Sequence, residues 1–333
     1  MKILITGGCG FIGSNLAVFL KNKNKNFEIN TLDNFFRSGS KFNLVRLKNN
    51  AIKNYNYDIK ETKFLKKLPK YDLIIHCAAE PAIEVSKKNL TEVFHINLVG
   101  TLNVLQKCVS DKSKLIFLSS SRVYSINELT KLRRKKTHIN EQFSTGYPNS
   151  IYGFSKKSSE ELIKEYSYLY EIKYIINRLA VISGPWQFGK QEQGFVSLWV
   201  WRHLNNKKLN YIGFGGRGQQ TRDVMHIKDF CELINIQIKK INKINNIILN
   251  VGGGPKNVIS LKKLTKMCET ETNRSVPIGS IKKTSIYDIP YFITDLNKVQ
   301  KTYKWRPKLN VRQIINDIYK WMILYRKNLK NYF

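Results

Sequence analysis

Residues 1–17 read MKILITGGCGFIGSNLA, a short apolar run followed by a glycine-rich turn and the start of a helix. The apolar run Ile3–Ile5 is typical of a buried strand. Gly7 permits a sharp turn after the strand, Gly10 has no side chain to block a phosphate, and Gly13 allows the helix to pack closely on the strand. The stretch therefore predicts a strand–turn–helix unit that binds the diphosphate of a dinucleotide at the helix N-terminus.

A second strand ends in an acidic residue at the spacing that this kind of turn requires. The strand Glu28–Leu32 is followed by Asp33, about twenty residues beyond the glycines. A carboxylate at this place accepts hydrogen bonds from the hydroxyls of an adenosine ribose and repels a 2′-phosphate. The sequence therefore predicts NAD rather than NADP, although Arg37, four residues later, leaves some room for NADP.

Strands and helices alternate along the first half of the chain, which predicts an α/β fold with a doubly wound parallel sheet, the Rossmann arrangement. The predicted strands are Lys2–Thr6, Glu28–Leu32, Asp72–His76, Lys114–Leu118 and Lys173–Leu179. The predicted helices are Ile12–Lys21, Thr91–Val109, Ser155–Tyr170 and, near the end, Val311–Tyr325. We expect an NAD-binding domain over residues 1–184 and a smaller C-terminal substrate lobe over residues 185–333, with some of that chain returning to the first domain.

Composition narrows the class of protein. The 333 residues carry a net charge of +33. Because lysine, asparagine and isoleucine are abundant throughout, we attribute the charge to an AT-rich genome and keep nucleic-acid binding as the less favoured alternative. The five cysteines form no C-x-x-C pair, which predicts reduced thiols in a cytoplasmic protein without a metal site. We expect no signal peptide and no membrane span.

A tyrosine and a lysine stand four residues apart on a predicted helix. Tyr152 and Lys156 then share one face of that helix, and Ser120 follows the fourth predicted strand. A free tyrosine has a pKa of about 10. We expect a neighbouring ammonium and the positive nicotinamide ring to lower the pKa of Tyr152 towards the working range of a base. By itself this spacing is weak, because a surface helix in a chain rich in both residue types explains it as well.

Taken in order, these features resemble the short-chain dehydrogenase/reductase superfamily. The glycine turn, Asp33, Ser120 and the Y-x-x-x-K pattern follow one another as they do there, and the length resembles the extended branch of sugar-nucleotide epimerases and dehydratases. The resemblance implies that Ser120, Tyr152 and Lys156 form the catalytic triad. It also implies that Asn97 supports the lysine.

The cofactor site is expected at the carboxyl ends of the strands, where open α/β sheets bind their ligands. Ala78 and Ala79 are small enough to leave room for a flat ring or a ribose, and Asp58 and Ile59 are placed to reach the adenine. The residues that we expect to contact NAD are Gly7, Gly10, Phe11, Ile12, Gly13, Asp33, Asn34, Asp58, Ile59, Ala78, Ala79, Asn97, Ser119, Tyr152 and Lys156.

Three stretches in the second half, residues 177–194, 211–226 and 276–293, resemble CDP-paratose (CDP-tyvelose) 2-epimerases. The runs Gly-Pro-Trp-Gln and Ile-Gly-Phe-Gly-Gly are their most specific parts. The resemblance implies that Asn177 and Arg222 bind the nucleotide diphosphate, and an arginine fork suits two phosphate oxygens. The full set of expected substrate residues, each with a surface-loop contact as its alternative, is Glu80, Asn177, Gln187, Lys190, Gln193, Arg217 and Arg222.

The function that these residues predict is an NAD-dependent nucleotide-sugar epimerase, which oxidises the sugar to a keto-sugar and reduces it again on the opposite face. The resembled enzymes act at C2, but the motifs alone do not choose C2 over C4. A UDP-sugar 4-epimerase or another sugar-nucleotide dehydratase or reductase is the nearest alternative; dehydratases carry Asp-Glu where this chain has Ser121-Arg122. A non-catalytic NAD- or RNA-binding protein is the alternative of another class. We expect a CDP-sugar rather than a UDP-sugar, and a homodimer or homotetramer.

Overall fold

The computed structural model describes residues 1–81, 89–132, 137–190 and 193–333. Two compact units make up the chain. The first contains Met1–Val123, Ser150–Arg178 and Cys231–Leu249, and the second contains Tyr124–Asn149, Leu179–Phe230 and Asn250–Phe333. The chain therefore crosses between the units several times. The predicted division into residues 1–184 and 185–333 stays a prediction.

A parallel seven-stranded sheet forms the centre of the first unit and confirms the predicted α/β class. Its strands are β1 (Lys2–Thr6), β2 (Glu28–Leu32), β3 (Lys53–Tyr55), β4 (Leu73–His76), β5 (Lys114–Ser120), β6 (Tyr174–Leu179) and, later in the chain, β10 (Ile247–Val251). They lie in the order β10-β6-β5-β4-β1-β2-β3. The order reverses between β1 and β4, which is the place where such sheets bind ligands.

The central strands are continuous apolar runs because helices cover both faces of a doubly wound sheet. Ile3, Leu4 and Ile5 of β1 are fully buried, and Ile3 pairs with Ile29 of β2 and with Leu73 of β4. The predicted bounds of β1 and β2 are confirmed. β5 runs two residues beyond its predicted end, so that its last residues are two serines. The short edge strand β3 lies in the β-like stretch that the sequence predicts, without bounds, before Asp58.

The helices of the first unit begin with Phe11–Lys23, directly after the glycine turn. The segment predicted as one helix over Thr91–Val109 is interrupted by a π-helical turn at His95–Val99. Such turns frequently occur at functional sites. Among the described residues, the remaining helices that lie wholly in this unit are Ser40–Asn49, Thr62–Lys67, Leu90–Phe94, Gly100–Asp111 and Ile151–Tyr170, with a 3₁₀ turn at Ser121–Val123.

The second unit contains two smaller sheets. Strand β9 (Thr221–His226) pairs with β7 (Val181–Ser183), β11 (Val258–Ser260) and β13 (Tyr291–Phe292), while β8 (Leu209–Ile212) pairs with β12 (Ile278–Ile281). The helix Val311–Leu324 confirms the predicted amphipathic helix, and Asn310 and Gln313 form a capping box at its start. The other helices are Ile126–Lys131, Phe195–Leu204, Ile227–Lys240 (which continues into the first unit), Leu261–Thr272, Asn297–Tyr303 and Arg326–Leu329, with short 3₁₀ turns at Phe214–Gly216 and Pro255–Asn257.

None of the helices in the four described ranges is long and apolar enough to cross a membrane. Within the same ranges, no group of three or more His, Cys, Asp or Glu side chains is arranged to hold a metal ion. All five cysteines are free thiols, and four of them are buried.

Candidate active site

The glycine turn after β1 has the geometry of a dinucleotide cradle. Gly7 has a φ of +64°, and a Cβ atom there would lie 2.8 Å from the Cα and N atoms of Ala78. A Cβ at Gly13 would overlap the carbonyl oxygen of Gly7. Gly10 is the N-cap of the following helix and supplies no side-chain cap to its first turn. The backbone N–H groups of that turn therefore fit a diphosphate, as the sequence predicts.

Asp33 joins the end of β2 to the glycine turn. Its Oδ2 atom accepts a hydrogen bond from the backbone N–H of Cys9 at 2.9 Å, and its Oδ1 atom accepts one from Phe35 at 2.8 Å. Burial raises the pKa of the Asp33 carboxyl, while these N–H groups counteract the rise. The backbone N–H of Gly10 also hydrogen-bonds to this carboxylate. A carboxylate has about four acceptor positions, so one is left for the predicted contact with a ribose hydroxyl.

Asn34 and Asp58, two predicted cofactor residues, hydrogen-bond to each other. The Asn34 Nδ2 atom donates to the Asp58 Oδ2 atom at 2.9 Å. Asp58 also accepts the backbone N–H of Lys60. The neighbouring Ile59 is buried, and its side chain packs against Gly100. These contacts order the loop after β3, but the adenine contact itself stays a prediction.

Asn97 lies in the π-helical turn and holds the loop that follows β4. Its Oδ1 atom accepts the backbone N–H of Glu80 at 2.8 Å, and its Nδ2 atom donates to the Glu80 carbonyl oxygen at 3.2 Å. The same Nδ2 atom donates to the hydroxyl of Ser155 at 2.9 Å. The Asn97 side chain thus hydrogen-bonds to Glu80 and to Ser155, the residue before Lys156. The resemblance implies that it supports Lys156 itself.

Ser120 and Tyr152 are brought together by the end of β5 and the start of the helix Ile151–Tyr170. The backbone N–H of Arg122 donates to the Ser120 hydroxyl oxygen at 3.2 Å, and the Ser120 hydroxyl hydrogen-bonds to the phenol of Tyr152. Gly153 makes this approach possible, because a Cβ atom there would overlap the carbonyl oxygen of Arg122. The two hydroxyl groups are therefore placed to act on one substrate oxygen.

The pKa of Tyr152 is shifted in the direction opposite to the expected one. Burial raises it, because a phenolate loses its hydration there. The hydrogen bond from Ser120 and the positive charges of Arg122 and Arg37 counteract the rise, while the charge of Glu80 adds to it. In the chain without NAD, burial therefore outweighs the nearby cations, and the expected lowering by Lys156 together with the nicotinamide ring stays a prediction.

Lys156 is buried on the same helix, one turn after Tyr152. Its Nζ atom lies 4.0 Å from the centre of the Phe117 ring. Burial lowers the pKa of Lys156 to about 7, and the charge of Glu160 is the largest influence that raises it again. Glu160 therefore favours the cationic form of Lys156.

A buried cluster around Glu160 was missed by the sequence reasoning. The Glu160 carboxylate, which is fully buried, accepts a hydrogen bond from the Ser119 hydroxyl at 2.5 Å and one from Arg178 Nη2 at 2.7 Å. Ser119 was predicted to contact the cofactor, but its hydroxyl is directed to Glu160 instead. The available signal was the spacing, because Glu160 follows Lys156 by four residues and shares its helix face.

The side chains of two predicted substrate residues are buried and already hydrogen-bonded to other side chains of the protein. Asn177 is fully buried in the first unit and exchanges two amide hydrogen bonds with Gln237, at 3.0 and 2.8 Å. Gln187 is buried in the second unit, where its Oε1 atom accepts the hydroxyls of Ser183 at 2.6 Å and Ser197 at 3.0 Å. We therefore leave Asn177 and Gln187 out of the proposed site.

The other predicted substrate residues of the second unit lie nearer the surface. Lys190, Gln193 and Arg217 are exposed, and Lys190 and Gln193 exchange backbone hydrogen bonds. The guanidinium of Arg222 is partly buried, and its Nη2 atom lies 3.2 Å from Oδ1 of Asp288. Asp288 lines an open groove of about 490 Å³. The groove is formed within the second unit by side chains that include Ile126, Asn127, Phe214, Thr284 and Ile286.

Comparison with known proteins identifies the family. Residues 3–252 match the NAD dependent epimerase/dehydratase family. The chain belongs to this family. It is therefore an enzyme of the extended short-chain dehydrogenase/reductase type, and NAD is its cofactor, in agreement with the glycine turn and Asp33.

Several relatives cover almost all of the chain. It is 28% identical to CDP-paratose 2-epimerase of Salmonella typhi, across 96% of this chain and 99% of that enzyme. It is also 28% identical to human dTDP-D-glucose 4,6-dehydratase, across 99% and 91% of the two chains. A similar solved structure is a variant UDP-glucuronic acid 4-epimerase from Bacillus cereus in complex with NAD and UDP-4-deoxy-4-fluoro-glucuronic acid. The TM-score is 0.84, at 26% identity, with 97% of this chain and 99% of that chain covered.

Proposed function

We propose that this family member is a nucleotide-sugar epimerase similar to CDP-paratose 2-epimerase. The observation that carries the proposal is the hydrogen-bonded pair of Ser120 and Tyr152 at the end of β5. A base and a hydroxyl donor that converge on one oxygen suit the oxidation of a sugar hydroxyl to a ketone and its later reduction. The similarity to the Salmonella enzyme over nearly the full length of both chains supports C2 as the reacting carbon and CDP as the nucleotide.

In the proposed mechanism the chain supplies the proton chemistry. When bound, NAD supplies the acceptor and then the donor of the hydride. Tyr152, as phenolate, takes the proton of the sugar hydroxyl, and Ser120 hydrogen-bonds to the same oxygen. The cation of Lys156 favours the phenolate and would hold the nicotinamide ribose of bound NAD. After the keto-sugar has rotated so that its opposite face is reduced, Tyr152 returns the proton to the oxygen on the inverted carbon.

The residues beside the pair favour epimerisation over dehydration. Dehydration needs a further acid and base to remove water from the sugar. Ser121 and Arg122 form the 3₁₀ turn directly after Ser120, and neither side chain is a carboxylic acid. The positive charge of Arg122 instead stabilises the phenolate of Tyr152.

Arg222 is the proposed partner of the nucleotide diphosphate. Its fork is held by Asp288 and by the Ile289 carbonyl oxygen, to which Nη2 donates at 2.5 Å. A guanidinium that is already oriented loses little freedom when it binds phosphate. The proposed ligand of Arg222 is the nucleotide end of the substrate, and its ion-pair partner Asp288 also lines the groove of the second unit. Lys190, Gln193 and Arg217 are further candidates for this end.

The deciding experiment is turnover of a panel of CDP- and UDP-sugars in ordinary and deuterated water, with the products read by NMR. We expect inversion at C2 of a CDP-sugar, with the original hydrogen retained on that carbon. Inversion at C4 of a UDP-sugar would replace the proposal with the 4-epimerase alternative. Deuterium from the solvent at the inverted carbon would indicate a deprotonation route and would exclude hydride transfer. The expected homo-oligomer and cytoplasmic location stay predictions, and light scattering tests the first.

A further inference from the structure

An ion pair joins two loops that follow non-adjacent strands of the first unit. The Nη2 atom of Arg37, in the loop after β2, lies 3.2 Å from the Oε1 atom of Glu80, in the loop after β4. The sheet order places β1 between β2 and β4. Because neighbouring strands are about 4.8 Å apart, the pair bridges roughly 10 Å of the sheet edge. It therefore spans the carboxyl end of β1, from which the glycine turn leads.

The two side chains of this ion pair differ in how exposed they are and in how firmly their backbone is held. The Glu80 side chain is only 2% exposed, and the Asn97 amide holds both backbone groups of Glu80. The Arg37 side chain is 34% exposed and lies in a loop. The ion pair with Arg37 offsets part of the cost of burying this carboxylate, so Glu80 favours the closed arrangement. Glu80 is thus the fixed half of the bridge, and Arg37 is the half that can open.

We propose that the Arg37–Glu80 pair is a clasp that closes over the diphosphate of bound NAD and slows its release. The sequence reasoning gave these residues other roles, with Glu80 near the sugar and Arg37 as an influence on the choice between NAD and NADP. Their ion pair connects them across the glycine turn instead. The inference depends on the use of NAD, which the family shares, and not on the identity of the sugar.

Retention of the cofactor suits the proposed reaction. An epimerase that oxidises and then reduces the same sugar needs its cofactor until the hydride has returned to the carbon. A clasp between two loops slows release without adding contacts to the diphosphate itself. The two charges of the pair act on the pKa of Tyr152 in opposite directions, since Arg37 lowers it and Glu80 raises it, so the proposed role of the clasp is retention of NAD.

Release of NAD measures the clasp directly. The protein is loaded with radiolabelled NAD and freed of unbound nucleotide on a desalting column. It is then incubated with excess unlabelled NAD. The label that stays with the protein is followed over time. We expect Arg37→Gln to release NAD about tenfold faster than the natural chain, and Glu80→Gln to do the same. Both single variants remove the same ion pair. The double variant should therefore release NAD no faster than either single variant.

Controls separate the clasp from general effects. Lys41→Gln removes an exposed positive charge from the neighbouring helix Ser40–Asn49 and should leave the release rate unchanged. Release within twofold of the natural rate in Arg37→Gln would overturn the proposal, and so would equal acceleration by Lys41→Gln. Arg37 is partly exposed, so this variant keeps the test valid even where Glu80→Gln does not fold. Since no sugar is present, the result is independent of the proposed substrate.

Discussion

The two units differ in what holds their predicted functional residues. In the first unit, Ser120 ends a strand and Tyr152 and Lys156 stand on one helix, so regular structure sets their positions. In the second unit, Gln187 lies in a loop, and its amide is taken up by neighbouring serines. The comparison teaches that spacing within one helix predicts which of its side chains share a face, whereas the partner of a buried amide such as Gln187 depends on the segments that pack around it.

The largest expected effect concerns the tyrosine of the first unit. Tyr152→Phe removes the only atom that exchanges a proton with the substrate in the proposed mechanism. We expect turnover to fall by about a thousandfold, within the range for loss of a general acid or base. NAD should stay bound, because the ring and its packing remain. The measurements are turnover of the sugar identified by the NMR panel and the NAD content of the purified variant.

Undiminished turnover in Tyr152→Phe would remove this residue from the mechanism. Loss of turnover together with loss of NAD would indicate a structural role. Ser120→Ala is the companion variant. It keeps the phenol but removes the hydroxyl that hydrogen-bonds to it, so a smaller loss than that of Tyr152→Phe is expected.

The same contrast explains which features could be predicted from sequence. The strand β1, the glycine turn and the Tyr152–Lys156 pair have periodic or local signatures, since apolar runs and residue spacing fix them. The cluster of Ser119, Glu160 and Arg178 depends on three elements meeting in the core, which no local pattern reports. The π-helical turn was missed for a related reason, because its periodicity differs only slightly from that of the flanking helix.

The expected bonds of Asn177 were also beyond the sequence. A resemblance to a family predicts which type of residue stands at a position. The burial of that residue and its neighbours determines which group it hydrogen-bonds to. An amide inside the first unit needs a polar partner, and Gln237, sixty residues away, provides it. The direction of the Tyr152 pKa shift has the same origin, since the cost of burying a phenolate depends on the whole surroundings and not on the spacing to Lys156.

The second prediction tests the support of Lys156 by Glu160. In Glu160→Gln the negative charge that raises the pKa of Lys156 is lost, so this pKa falls further below about 7. A smaller fraction of Lys156 is then cationic at pH 7.5. We expect the alkaline limit of kcat to move to lower pH by about one unit, and kcat at pH 7.5 to fall roughly tenfold. The other titratable side chains near Lys156 are Cys77 and His76. Burial keeps both uncharged at neutral pH, because it raises the pKa of Cys77 and lowers that of His76.

The neighbouring glutamate provides a matched control for this variant. Glu161 is exposed and pairs with Lys164 on the helix surface, so Glu161→Gln should leave the pH profile unchanged. Glu160→Gln also leaves the buried guanidinium of Arg178 without its carboxylate, which should lower the free energy of unfolding by about 3 kcal/mol. An unchanged pH profile in a folded Glu160→Gln variant would limit Glu160 to a structural role.

The smallest effect on catalysis is expected in the second unit, at Gln187. Gln187→Ala leaves the hydroxyls of Ser183 and Ser197 without the oxygen that accepts both of them. The loss of these buried hydrogen bonds should lower the free energy of unfolding by about 1–3 kcal/mol. KM for the nucleotide sugar at 25 °C should stay within about twofold, because the amide is already used inside the protein. A tenfold rise in KM with an unchanged melting temperature would instead make Gln187 a substrate contact and would remove the contrast between the two units.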